Sequence, residues 1–338
     1  MKISIATNWD DDLVDYISKS NNDCLSNSIC EFFASKAFSI LWSANTDVPD
    51  LSLQDIKQKI SYIKDKNIQF NYLINSSKMP DLNDEIIRKK VLDYLSWINT
   101  LGIDILTVAS EDLLDLIYKN FPNIPINISV VLWLKTIEKA NYLREKYPNI
   151  VRLTLHQDIN RDKKLLEEHI KNAHNHQTLK PVEIELLANE VCFIGCWLMK
   201  DHYDALTSLS QKKTWKDFMF WWCCAKRKEN IIDFINSSFI RPEDMILYED
   251  LWVDIIKLAW RKEQTNELKL RAKAYLEGYY DWNIMDLFLA EFWPMKKPPY
   301  ISNSSFNWFV KFLWGQKLIK IDNKEIFPWF KNLDYNRN

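Results

Sequence analysis

LGIDILTVASEDLLDLIYKNFPNIPINIS, residues 101–129, holds one complete strand–helix–strand unit. Gly102 stops the helical pattern that ends LDYLSWINTL, since glycine readily takes the left-handed conformation at a helix C-terminus. IDILTV (103–108) is a short apolar run of strand length. Ser110 then precedes EDLLDLIY, a start signal for a helix over 110–119, and INISVV (126–131) reads as the next strand. The same alternation extends both ways along the chain.

Upstream, strands are expected at 2–7, 28–33 and 68–74; downstream, at 151–156, 182–188 and 253–259. Helical patterns fall at 52–66, 84–101, 135–147, 161–174 and 243–251, and Ser52 with Asp55 forms a capping-box pair. Several strands are nearly continuous apolar runs, as expected when both faces of a parallel sheet are buried. Eight strands within about 260 residues fit a closed (β/α)8 TIM-like barrel better than an open sheet. The predicted organisation is a barrel over 1–290 and a proline-punctuated, aromatic C-terminal extension over 291–338, packed on the barrel through Phe306, Phe309, Phe312 and Leu313. One interval exceeds the rest: 189–252, between strands seven and eight, is an insertion on the face where such barrels carry their chemistry.

The 338 residues are 47% hydrophobic and 27% charged, with net charge −2, which fits a soluble globular chain and argues against a broad nucleic-acid surface. No apolar run reaches the roughly 20 residues that span a bilayer, and MKISIATNWDDD lacks a signal-peptide pattern. A cytoplasmic location with no membrane partner is expected. Four glycines, none in a phosphate-cradling motif, disfavour a glycine-loop nucleotide site.

The insertion opens with NEVCFIGCWLMKDH (189–202) and continues to FMFWWCCAK. In a reducing compartment, clustered cysteines more often bind metal than pair as disulfides. Cys192 and Cys196, with Cys223 and Cys224, can supply four thiols to one region. A C-x3-C pair suits a zinc knuckle poorly, and adjacent Cys223 and Cys224 point in different directions. A cluster, being larger, tolerates irregular spacing better. Met199 stands where a radical-SAM triplet needs its third cysteine. A purely apolar core segment remains the competing reading of FMFWWCCAK, and Cys24 and Cys30 are more simply unliganded thiols.

The chain resembles the collagenase-like peptidases of unknown catalytic type, the U-thirty-two peptidase family, in a single-barrel branch. The resemblance rests on MKISIATNWDDDLVDYI, NIQFNYLINSS, LGIDILTVASEDLLDLIYKNFPNIPINIS, ELLANEVCFIGCWLMKDH, SSFIRPEDMILYEDLWVDIIKLAWR and NELKLRAKAYLEGYYDWNIMDLF, in the expected order over 1 to 290. It implies a barrel with a [4Fe–4S] cluster held by Cys192, Cys196 and Cys223 or Cys224. It also implies a tailoring enzyme, related to proteins of oxygen-independent hydroxylation, acting on a biosynthetic small molecule, peptide or RNA. A peptidase or peptide-processing enzyme is the first alternative. A non-catalytic iron–sulfur scaffold with a protein partner in a biosynthetic complex is the second. The chain departs from the branch at Trp197, where a proline is usual, and at Trp260, where a glycine is usual.

Other candidates follow from position. Lys257 and Arg261, at the end of the last strand, could hold a carboxylate, Arg261 in bidentate fashion, with barrel salt bridges as the competing account. Arg241 precedes Pro242 at a helix start and could bind substrate. His202 is a candidate ligand or proton carrier, and Glu190 a candidate acid or base. Asn8 and Asn71 are expected near the mouth. Trp215, Phe218, Phe220, Trp221 and Trp222 read as a shield around a cluster. The basic CAKRKEN run reads as solvated surface.

Overall fold

Hydrogen-bond ladders join each strand to its sequence neighbour until the last returns to the first. In the computed structural model, which describes residues 1–23, 26–41, 49–211, 218–259, 264–288 and 300–321, eight parallel strands close into a barrel in chain order. The first half runs β1 (Lys2–Ala6), α1 (Asp11–Asp23), β2 (Ser28–Ala34), α2 (Leu53–Asp65), β3 (Gln69–Ile74), α3 (Glu85–Asn99), β4 (Ile105–Val108) and α4 (Glu111–Asn120). The second half runs β5 (Ile126–Ile128), α5 (Ile137–Lys146), β6 (Ile150–Thr154), α6 (Lys163–Asn175) and β7 (Glu183–Leu187). It is completed by β8 (Ile255–Leu258) and α11 (Thr265–Glu277). The insertion between β7 and β8 contributes α7 (Met199–Ser210), α8 (Phe218–Glu229), α9 (Ile231–Ile235) and α10 (Met245–Glu249); α12 (Phe309–Gly315) lies in the C-terminal region. No helix among the described residues is long and apolar enough to cross a membrane.

Local chemistry sets these boundaries. The Ser52 hydroxyl accepts the Asp55 N–H and the Asp55 carboxylate returns to Ser52, so the expected capping box starts α2. Ser110 accepts the Leu113 N–H at the start of α4, and Gly102, at φ +69°, follows the end of α3. Two spans differ from expectation. The strand expected to 131 ends at Ile128, because Ser129 accepts the Val131 N–H and turns 130–132 into a 3-10 segment. The helix expected over 243–251 is split into a 3-10 turn, Pro242–Asp244, and the short α10.

Outward-facing Ile3, Ile5, Leu106, Ile184 and Ile256 are fully buried in one continuous apolar cluster beneath the helices. Ile301, Phe306, Phe309 and Leu313 join the same cluster, and the Phe306 ring meets Phe239 edge-on at 5.6 Å.

The barrel interior is not the branched aliphatic filling usual for this fold. Ser4, Glu31, Asn71, Thr107, Asn127, Thr154, Glu185 and Lys257, one from each strand, are all buried and point inward with Arg152. Arg152 meets Glu31 at 2.7 Å, Glu183 at 3.0 Å and Glu185 at 3.5 Å. Lys257 meets Glu185 at 3.1 Å. Thr154 donates to Glu185 (2.6 Å), Ser4 to Glu31 (2.6 Å), Asn71 to Glu31 (3.1 Å) and Asn127 to Glu185 (3.2 Å). Burial favours a neutral Glu185, but Lys257 and Arg152 more than offset it and hold the carboxyl below its usual range. Asn71 therefore sits inside this layer and does not line the mouth.

Candidate active site at the barrel mouth

One layer above the polar ring, the period-two alternation of the strands brings Ala6, Phe33, Leu73, Ala109, Leu187 and His156 to the C-terminal rim. Helix α7 crosses this opening. Tyr203 packs with Ala109, Val130, Val131 and Leu187, while Ser77 donates to Asp204 (2.6 Å) and Ser76 to Thr207 (3.2 Å) from the loop after β3. Trp133, itself at φ +62°, stacks on the His156 ring at 5.0 Å and meets Tyr203 edge-on at 6.4 Å. The insertion thus caps the mouth.

The CFIGC turn leads into α7. Gly195 takes φ +73°, a conformation costly for other residues, and its N–H reaches the Asp158 carboxylate at 3.2 Å. This places Cys196 just before the helix, where its sulfur receives the Leu198 backbone N–H. The Cys223 thiol of α8 donates to the same sulfur, and His202 lies one turn along. Hydrogen bonding from Cys223 leads these effects and, with the Leu198 N–H and His202, outweighs burial, bringing the Cys196 thiol down to about 6. Cys223 is correspondingly driven upward. Cys192 donates to Glu190 at 3.8 Å, and burial followed by the Glu190 charge keeps its thiol protonated. Burial pushes Glu190 up to about 6, against the nearby His202.

Cys192, Cys196 and Cys223 are thus brought together, all partly exposed, whereas Cys224 is fully buried. Among the described residues, no three His, Cys, Asp or Glu side chains are spaced to grip a single metal ion. The three thiols are close enough to perturb one another's titration. Cys30 lies toward the opposite end of the barrel, donating to the Ile3 carbonyl, and Cys24 falls outside the described residues.

The remaining candidates separate. Glu190 and His202 belong to the site. Lys257 lies below it, buried against Glu185 with its ammonium 4.4 Å from the Phe33 ring centre. Arg261, its expected companion, and Trp260 fall outside the described residues. Arg241 is buried and turned to Asp244 (2.8 and 2.9 Å) and the Asn303 carbonyl (2.8 Å), not to the thiols. Asn8 donates to Thr265. Of the aromatic run, Trp222 packs against Phe193 and Trp197, whereas Phe218 and Trp221 are largely exposed; Trp215 is not among the described residues.

Four residues of the site escaped the sequence reading: His156, Gln157, Tyr203 and Arg227. Arg227, in the run read as solvated surface, is buried, with its guanidinium 4.9 Å from the Phe193 ring centre and donating to the Val191 carbonyl. His156 follows the end of β6, a position that could have marked it as a rim residue.

Burial lowers the His156 imidazole from an ordinary 6.5 to about 4. The unfolded chain then takes up the proton more readily, so the stability from a neutral His156 is complete above about pH 6.5 and is lost as pH falls toward 4. Between pH 7.5 and 4.5 this amounts to about 2–3 kcal/mol. Urea unfolding at the two pH values should show this component in the native chain and its absence in His156→Gln.

A search with family models matches none to this chain. An uncharacterized protease of Methanocaldococcus jannaschii is 27% identical over 245 residues, covering 70% of this chain and 68% of that protein. Among solved structures, the U32 peptidase Mk0906 superposes with a TM-score of 0.54 at 11% identity, over 77% of this chain and 93% of that one. A D-psicose 3-epimerase gives a TM-score of 0.42 at 13% identity, over 82% and 96%. The archaeal relative and the shared barrel fold of the U32 peptidase agree with the resemblance that the ordered sequence segments carry.

Proposed function

We propose that the chain is a peptide-processing enzyme whose reacting group is the Cys196 thiolate. The observation that carries this reading is the position of Cys196 in the turn that leads into α7, with N–H and S–H donors on its sulfur and His202 beside it. Cysteines at helix N-termini near a histidine are activated nucleophiles. The thiolate would attack a peptide carbonyl carbon, the C–N bond would break, and the departing amine would take a proton from His202 or Glu190. Water would then cleave the thioester, giving the acid and returning one proton to the base. The protease name of the archaeal relative and the peptidase fold neighbour support this class. Incubating iron-stripped protein with a mixed peptide library, read by mass spectrometry, should yield new termini; an unchanged library contradicts the reading.

The convergence of Cys192, Cys196 and Cys223 favours a second reading, an iron–sulfur tailoring enzyme for oxygen-independent hydroxylation. Those three residues would hold a [4Fe–4S] cluster, with the Phe193 and Trp222 rings, which meet edge-on, limiting water. A bound cluster would supply electron transfer or an open iron site. An anaerobic preparation carrying about four irons and four sulfides per chain, inert toward peptides, would select this reading over the first.

A further inference from the structure

Beside the thiols lies a second set of groups that the chemistry at Cys196 does not use. Arg227 has its Nε and Nη1 donors buried and unpartnered, although its Nη2 is held by the Val191 carbonyl. Gln157, fully buried, has both its amide nitrogen and its amide oxygen unpartnered. The Gln157 amide lies beside the Cys192 thiol and the Tyr203 hydroxyl and favours the ionised form of each. The Arg227 charge is felt at Cys192, Cys223, Glu190 and Asp233. Buried polar atoms without partners are costly, by about 1–3 kcal/mol each and more for a charged group, and so are rarely idle.

We propose that Arg227 and Gln157 form a subsite for the C-terminal residue of a peptide, Arg227 taking the terminal carboxylate and Gln157 the adjoining amide. The proposal rests on the peptide-processing reading and names its substrate class. A guanidinium complements a carboxylate better than any other side-chain donor. A carboxamide, with one acceptor oxygen and an N–H donor pair, complements the N–H and C=O of a peptide group. The Trp133 and Tyr203 rings, meeting edge to face, offer an apolar wall for the terminal side chain. A carboxylate held at Arg227 would sit beside the thiol group, as removal of a C-terminal residue requires.

The test compares N-acetyl-Ala-Phe as free acid and as C-terminal amide, titrated by calorimetry against full-length Cys196→Ser protein. The free acid should bind at least about 10-fold more tightly, the range expected of a charge-assisted hydrogen bond. Arg227→Gln should erase the preference, and Gln157→Leu should weaken acid and amide alike. Equal binding of the two forms, or no binding of either, overturns the subsite without any variant; a preference that survives in folded Arg227→Gln overturns it too. A clear acid preference in a protein that cleaves no peptide leaves the subsite standing and removes the peptidase reading.

Discussion

Arg152→Met is expected to destabilise the fold by about 3–5 kcal/mol, the range for breaking one partner out of a buried ion pair. Arg152 is nearly inaccessible and serves Glu31, Glu185 and Glu183 at once. With it, the fully buried Glu31 and Glu185 carboxylates face two cations, Arg152 and Lys257. Without it, two carboxylates share one ammonium, and that ammonium is already engaged by Glu185 at 3.1 Å. The lost Coulombic partner outweighs what methionine gains by burying its thioether, because the abandoned carboxylates remain out of water. They must then carry an uncompensated charge or take up a proton on folding. Guanidinium unfolding followed by circular dichroism measures the effect. A loss below about 1 kcal/mol would mean that the interior layer is hydrated and not a closed ionic core.

Cys196→Ser is expected to lower peptide turnover by about a thousandfold or more, the scale of removing a covalent nucleophile from its activating partners. The serine hydroxyl would occupy the same helix-start position and accept the same donors, so the fold and the KM should change little. Cys224→Ala is the contrasting variant. Cys224 is fully buried in α8, so its loss should appear chiefly as lowered stability with kcat retained. Equal losses of kcat in both variants would show that disturbance of α8, and not the Cys196 sulfur, governs the activity.

The barrel was legible because its signals are local. Residues 101–129 carry a helix stop, a strand, a serine cap and a second strand within one unit, and all appear in the structure with only the second strand shortened. The thiol group was legible in part. Cys192 and Cys196 share one turn, so their proximity follows from spacing; Cys223 joins them only through the packing of α8 on that turn. The polar interior was missed although each strand carries its mark. Single polar residues, such as Ser4 in KISIA, Thr107 in ILTV and Lys257 in IIKL, sit among apolar neighbours, and treating the strands as continuous apolar runs hid that alternation. Arg227 was misread for a different reason. Within a basic run on a helix, only tertiary packing decides which residue turns inward, and the Val191 carbonyl that receives it is 36 positions away.

The pH dependence of Cys196 alkylation by iodoacetamide, located by peptide mass spectrometry on protein freed of iron, most directly tests whether this sulfur is the reacting thiolate. A thiol titrating near 6 is about half ionised at pH 6, where an ordinary cysteine is about 0.3% ionised. Its lower intrinsic nucleophilicity removes roughly tenfold of that advantage, leaving Cys196 about 10-fold faster than a free thiol at pH 6. Cys192 and Cys224 should remain slow under the same conditions. Modification of Cys192 first, or a Cys196 rate no greater than that of free cysteine at pH 6, would contradict the assignment.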